Sequence, residues 1–285
     1  MEAGRSSRTA ERVASRRAAH QLLDVPLVFE DPIAIHMLPP DVAAHVRERP
    51  RDFDRSPLAR YLRALLAVRS RFAEDRLAEA VARGVTQYVI VGAGFDTFAY
   101  RNPYPALRVF ELDHPATQAV KRRRVAEAKL EVGENVTYVA ADLAEVPLRD
   151  ALVRGGFDES QPAVFAWLGV VPYLERPAIE AVLRYVASLP RRTEIVFDYG
   201  VPPKSLPLIV RIFYWRVARR VAAAGEPWKS YFTGDEMQTL LRTAGFDTIE
   251  DLGADEINAR YFAGRRDGLK VGNAGRTARA GRGAR

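Results

Sequence analysis

The chain has no cysteine, which excludes disulfides, thiolate metal sites and cysteine nucleophiles together and suits a reducing compartment. Its four histidines (His20, His36, His45, His114) show no metal-ligand spacing, so no metal is expected. No run approaches the ~18 apolar residues that a membrane-spanning helix needs. The longest greasy segment, Leu206 to Val217, is broken by Arg211 and Arg216 and reads as a packed helix. Met1 to Ala19 is arginine-rich without an apolar core, so no secretory signal is expected and the location is taken as cytoplasmic. No internal repeat is visible.

Acidic excess is also missing. The 285 residues hold 43 Lys and Arg against 36 Asp and Glu, a formal charge of +7. Seven basic residues and one acid lie beyond Phe262, so the remainder is almost neutral with 36 basic and 35 acidic residues. Residues 264–285 are rich in Gly, Ala and Arg, are read as contributing no core-forming residues, and are expected to be a disordered, solvated tail. Nucleic acid and membrane are not expected partners. Oligomeric state is left open.

What is present is a change of pattern near residue 84. Before it lie helices. In residues 7–23, Ala10, Ala14, Ala18 and Leu22 recur at four-residue steps with arginines on the opposite side, and Ser7 or Thr9 is the N-cap. Glu30-Asp31-Pro32 marks a turn, and residues 56–83 form a long helix stopped at Gly84. Beyond it, strands alternate with helices: 88–91, 107–112, 136–140, 163–167 and 195–197, followed by a helix over 204–224, another over 234–244, and strands near 247–252 and 259–263. Continuous apolar strands separated by helices imply an α/β fold, a doubly wound and mostly parallel seven-stranded sheet. The expected division is an N-terminal helical cover (1–84), an α/β domain (85–263) with a helical insertion at 201–233, and the tail.

In such sheets ligands bind beyond the carboxyl ends of the strands. The first strand runs into Gly92-Ala93-Gly94-Phe95-Asp96-Thr97. A dinucleotide fingerprint needs a third glycine where Thr97 stands, and Asp96 would repel a pyrophosphate. A cationic or zwitterionic ligand without phosphate, such as S-adenosylmethionine, suits this loop better. Asp113 ends the second strand 21 residues after Gly92, where an acid accepts hydrogen bonds from ribose hydroxyls. Asp142-Leu143 ends the third, where a carboxylate can accept from an adenine amino group and a backbone N–H can donate to the ring.

Taken with Ser7-Arg8-Thr9-Ala10, Glu30-Asp31-Pro32, Arg69-Ser70-Arg71-Phe72-Ala73-Glu74-Asp75, Glu111-Leu112-Asp113-His114-Pro115, Gly169-Val170-Val171-Pro172-Tyr173-Leu174 and Gly225-Glu226-Pro227-Trp228, these stretches resemble the bacterial branch of the leucine carboxyl methyltransferase-like family from about Ser7 to Phe262. The resemblance implies a class I, Rossmann-like methyltransferase using S-adenosylmethionine, with the N-terminal and inserted helices covering the acceptor site. It implies that Gly92, Ala93 and Gly94 cradle the methionine part, that Asp113 holds the ribose and that Asp142 and Leu143 hold the adenine. Arg71, ahead of Arg69, is expected to bind the methionine carboxylate. Trp167 stands where many members carry a glutamate; an aromatic there could face the adenosine or sulfonium. Tyr173, Asp198 and Tyr199, at or past strand ends, are candidate acceptor contacts. No His–Asp arrangement suggests a base, which favours an acceptor carboxylate, already ionised at neutral pH, over a hydroxyl. A small-molecule acceptor in secondary metabolism is expected. The alternatives are a nicotinamide-dependent oxidoreductase with a degenerate fingerprint, or a non-catalytic binding protein on the same fold.

Overall fold

The computed structural model describes residues 8–223, 225 and 227–283. Helix α1 (Arg8–Leu23) leads through a 3-10 turn (Ala34–Met37) to α2 (Pro40–Glu48) and α3 (Pro57–Ala82). Ser7, one of the two expected caps of α1, lies outside the described residues. Ser56 caps α3 by accepting from the Ala59 amide at 3.2 Å, and Pro57 occupies the first turn, where a missing N–H is harmless.

The α/β part then runs β1 (Gln87–Val91), β2 (Arg108–Asp113), α4 (Pro115–Glu127), β3 (Val136–Ala140), α5 (Leu148–Arg154), β4 (Ala163–Trp167), α6 (Arg176–Ser188) and β5 (Glu194–Gly200). Then follow α7 (Leu208–Ala222), α8 (Gly234–Ala244), β6 (Thr248–Leu252), α9 (Ala254–Tyr261) and β7 (Gly275–Gly281). The seven strands form one sheet in the order β3-β2-β1-β4-β5-β7-β6. Strands β1 to β5 are parallel, and β7 is antiparallel to both β5 and β6. Strand order reverses between β1 and β4, so the crevice at their carboxyl ends is where a ligand is expected to bind.

Alternate residues of each strand feed two cores. Phe110, Phe165, Trp167 and Phe197 pack with Leu183 of α6 and Leu241 of α8. On the other face Tyr88, Ile90, Val109 and Val164 meet Leu77 and Ala80 of α3. A third cluster seats the cover: Ala14 and Ala18 of α1 lie against Phe95, Val125, Met37 and Val46. Alanines at this spacing let α1 come close, and Ala10 approaches the backbone of Gly94.

Two expectations are corrected here. Residues 264–285 are not a disordered tail over their described length, because Gly275–Gly281 is an interior strand with Thr277, Ala278 and Ala280 buried. Ala284 and Arg285 lie outside the described residues. The strand's arginines are paired: Arg276 with Asp251 at 3.0 Å, and Arg279 with the buried Glu194. The α/β unit therefore continues past residue 263. The strand expected near 259–263 is instead the end of α9, whose start is fixed by Glu256 accepting from the Gly253 amide at 2.9 Å.

Candidate active site

A cavity of about 630 Å³ opens at the carboxyl ends of the parallel strands. It falls in the range of small-molecule sites. Its floor begins where β1 ends. Gly92 and Gly94 take φ of 70° and 49°, which glycine adopts without a Cβ penalty, and a Cβ on Gly92 would stand 2.5 Å from Val170. The amides of Gly92 and Ala93 both donate to the Leu112 carbonyl, at 2.8 and 3.0 Å, tying the loop to the end of β2.

Asp113 sits one residue further along. Its carboxylate accepts from the amides of Gly94 and His114, yet burial pushes its pKa up, and those two bonds only partly offset the loss of water. Each carboxylate oxygen has room for a second donor. A desolvated acid with spare acceptor capacity, lining a cavity, is well matched to a pair of ribose hydroxyls. Asp142 and Leu143 line the same cavity beyond β3, with Asp142 accepting from the Ala144 amide at 2.9 Å.

His114 also lines the cavity, and its Nε2 lies 3.6 Å from Asp142. This pairing was not foreseen, but it does not make a base. The Ala116 amide donates to Nδ1 at 3.2 Å, so a neutral ring keeps its proton on Nε2, facing Asp142. Neither nitrogen is then a free acceptor. His114 caps α4.

Arg17 was not foreseen at the site, since the arginines of α1 were read as facing away. Arg8, Arg12 and Arg16 do follow that rule in spacing, but Arg17 is seven residues from Ala10 and three from Ala14, on the inner stripe. It is buried and lines the cavity, bonded to Asp31, to the Thr97 hydroxyl at 3.0 Å and to Asp96 at 3.3 Å. Burial would raise the pKa of Asp96, but Arg17, Lys121 and Arg101 outweigh it and hold the carboxyl below its ordinary value. The Asp96 charge is thus spent on Arg17.

The two arginines of Arg69-Ser70-Arg71 separate. Arg71 is half exposed and pairs with Asp75 at 2.7 Å, away from the cavity. Arg69 is 11% exposed, lines the cavity and pairs with Asp198 at 3.0 Å. Its guanidinium lies against Gly169, where a Cβ would stand 2.8 Å from both terminal nitrogens. The spacing contained this: Arg69 is three residues from buried Leu66 and four from buried Ala73. Arg69 therefore replaces Arg71 as the candidate for a ligand carboxylate.

Three further expectations change. Trp167 is fully buried against Phe197 in the core and does not reach the cavity, because its β4 position alternates with Ala166, which does. Tyr199 is buried and donates to Asp251 at 2.8 Å, bracing β5 against β6. Asp198 acts from behind, accepting from the Gly169 amide and from Arg69. Of the acceptor candidates only Tyr173 lines the cavity, with Lys229 beside it as an unforeseen cation, itself 3.5 Å from Glu175. Glu226 lies outside the described residues.

The donor set fits S-adenosylmethionine: an arginine for the amino-acid carboxylate, a desolvated aspartate for the ribose, and glycines permitting close approach. A family model described as leucine carboxyl methyltransferase matches residues 10–187. A Bacillus subtilis (strain 168) protein named "Putative S-adenosyl-L-methionine-dependent methyltransferase YktD" is 31% identical over 293 residues, covering 95% of this chain and 96% of its own. A Mycobacteroides abscessus protein with the same general name is 35% identical over 244 residues, 84% of this chain and 75% of its own. The crystal structure of a protein titled a putative methyltransferase, from Thermobifida fusca YX, shares the fold at TM-score 0.61 and 18% identity, over 99% of this chain and 97% of that one.

Proposed function

The chain belongs to the leucine carboxyl methyltransferase family and is an S-adenosylmethionine-dependent methyltransferase, and from that premise we propose that it methylates the carboxylate of a small-molecule natural product. The observation that carries this reading is the state of His114. It is the one histidine among the described residues lining the cavity, and its Nδ1 lone pair is taken by the Ala116 amide, which leaves a proton and not a lone pair on Nε2 of the neutral ring. A carboxylate acceptor is already ionised at pH 7 and needs no base, whereas a phenol of pKa about 10 would benefit from one.

When bound, S-adenosylmethionine supplies an electrophilic methyl group on a sulfonium, open to in-line displacement by the acceptor oxygen. The protein's part is alignment and exclusion of water. Arg69, steadied by Asp198, would hold the methionine carboxylate. Asp113 would take the ribose hydroxyls, and Asp142 with the Leu143 amide the adenine. Helix α1, fastened to the glycine loop through Arg17 and Asp96, closes one wall. Tyr173 and Lys229 are the polar groups offered to the acceptor.

The test is transfer of a labelled methyl group to a panel of aliphatic and aromatic carboxylic acids and phenols, followed by mild alkali. Methyl esters release methanol under those conditions and aryl methyl ethers do not. Alkali-labile label on an acid is the expected product. Label accumulating only as an alkali-stable ether would replace carboxylate by hydroxyl methylation.

A further inference from the structure

Helix α7 carries a surface that the methyl-transfer site does not use. Leu208, Ile212 and Trp215 are exposed at 63%, 50% and 52%. At 100° per residue they fall within about 60° of arc, on one face. The other exposed large hydrophobics among the described residues (Leu22, Val25, Val132, Val153) lie on other elements. The opposite side of α7 is held by Tyr214, buried against Trp228 and Tyr231 with ring centroids at 5.0 and 6.0 Å. The outward face is therefore not a misplaced core.

Charge decides what this face suits. Between Leu208 and Ala222 there are four arginines (Arg211, Arg216, Arg219, Arg220) and no acid. Arg219 is exposed on the same face, and Arg211 and Arg216 flank it by helical spacing. A second copy packed through the same face about a two-fold axis would set Arg211 and Arg219 against their own images, a like-charge contact. An anionic lipid surface meets both requirements at once: it takes leucine, isoleucine and tryptophan at the headgroup boundary and pairs phosphates with arginine.

We propose that α7 docks this protein on anionic phospholipid membranes, lying in the interface without crossing it. Among the described residues no helix is long and apolar enough to span a bilayer, and the expectation of no membrane partner rested on the sequence lacking a spanning apolar run, which does not bear on a helix lying in the interface. The chain passes from α7 directly into Gly225, Pro227 and Lys229, which line the cavity, so docking brings the cavity's rim to the lipid surface. Docking does not depend on which acceptor is methylated.

The experiment is flotation of the full chain with vesicles of phosphatidylcholine alone or with roughly 30 mol % phosphatidylglycerol, at low and physiological salt, with tryptophan emission recorded. Trp215 is the solvent-exposed indole, while Trp167 is buried, so a blue shift on binding that survives Trp228→Phe reports α7. Binding to the phosphatidylglycerol vesicles, weakened by salt, is expected. The triple variant Leu208→Ser, Ile212→Ser, Trp215→Ser should lower partitioning by about tenfold or more while keeping the wild-type affinity for S-adenosylmethionine, which verifies the fold. Arg219→Glu should weaken it as well, and millimolar glycerophosphate should not compete. No flotation with either vesicle at low salt would overturn the proposal. So would flotation indifferent to the triple variant, or a concentration-dependent dimer that the triple variant abolishes, which would assign the face to a second copy.

Discussion

Substituting Arg69 and Arg71 in turn separates the proposed carboxylate-binding arginine from a surface one two residues away. Arg69 is 11% exposed, braced at 3.0 Å by Asp198, which is in turn held by the Gly169 amide. A charge-assisted hydrogen bond from such a group contributes about 1.5–3 kcal/mol, or roughly 10- to 150-fold in affinity. Arg69→Ala should weaken S-adenosylmethionine binding by that factor, and Arg69→Lys by less, keeping the charge but losing the fork. Arg71 is half exposed and is held by Asp75 four residues on and by the Val28 carbonyl, away from the cavity, so Arg71→Ala should change affinity less than about threefold. Calorimetric titration with S-adenosylmethionine is compared with titration by methylthioadenosine, which keeps the ribose and adenine but lacks the amino-acid carboxylate. The Arg69 variants should bind methylthioadenosine as the wild type does. An equal loss for both ligands would refute the carboxylate assignment and make Arg69 a structural residue.

Asp113→Asn should weaken S-adenosylmethionine and methylthioadenosine alike, by about 1.5–3 kcal/mol, since both carry the ribose; unchanged calorimetric affinity in folded protein would remove Asp113 from the site. Gly169→Ala puts a methyl group where the Arg69 guanidinium lies and strains a backbone at φ 71°, so it should mimic Arg69→Ala in the same two-ligand comparison. Truncation before Gly275 removes an interior strand and should abolish the cooperative thermal transition; a truncated chain melting like the wild type would argue against β7 in the sheet. Asp96 has its pKa lowered, so its folded state binds the proton less tightly than the unfolded chain. Its stabilisation is therefore full above an unfolded value of about 3.9 and disappears as pH falls through the lower folded one. Asp96→Asn should shrink the acid loss of thermal stability below about pH 4, and identical acid limbs for the two proteins would contradict the Arg17–Asp96 pairing.

The parallel half of the sheet was legible because β1 and β4 are buried along their whole length, and burial on both faces writes a continuous apolar run. Strand β7 was not, because Gly-Arg-Thr-Ala-Arg-Ala-Gly has the composition of a linker. Its place in the sheet comes from small side chains fitting between β5 and β6 and from Glu194 and Asp251 meeting its arginines, partners distant in sequence. At the site, glycines and strand-end acids could be read from position alone, since the strand fixes where its last residue points. Arg69 against Arg71 and Trp167 against Ala166 depended on which side of an element faces the cavity, a choice that two arginines two residues apart on α3 and a strand buried along its whole length leave open. Arg17 was concealed by composition: among so many arginines of α1, only its phase with Ala10 and Ala14 distinguishes it.

Calorimetric titration of the wild-type protein with S-adenosylmethionine, its demethylated product and a reduced nicotinamide dinucleotide tests the central claim most directly. The site described here predicts dissociation constants on the order of micromolar for the first two and no heat from the third. Absence of binding by either sulfur ligand in folded protein, or binding of the dinucleotide instead, would contradict it.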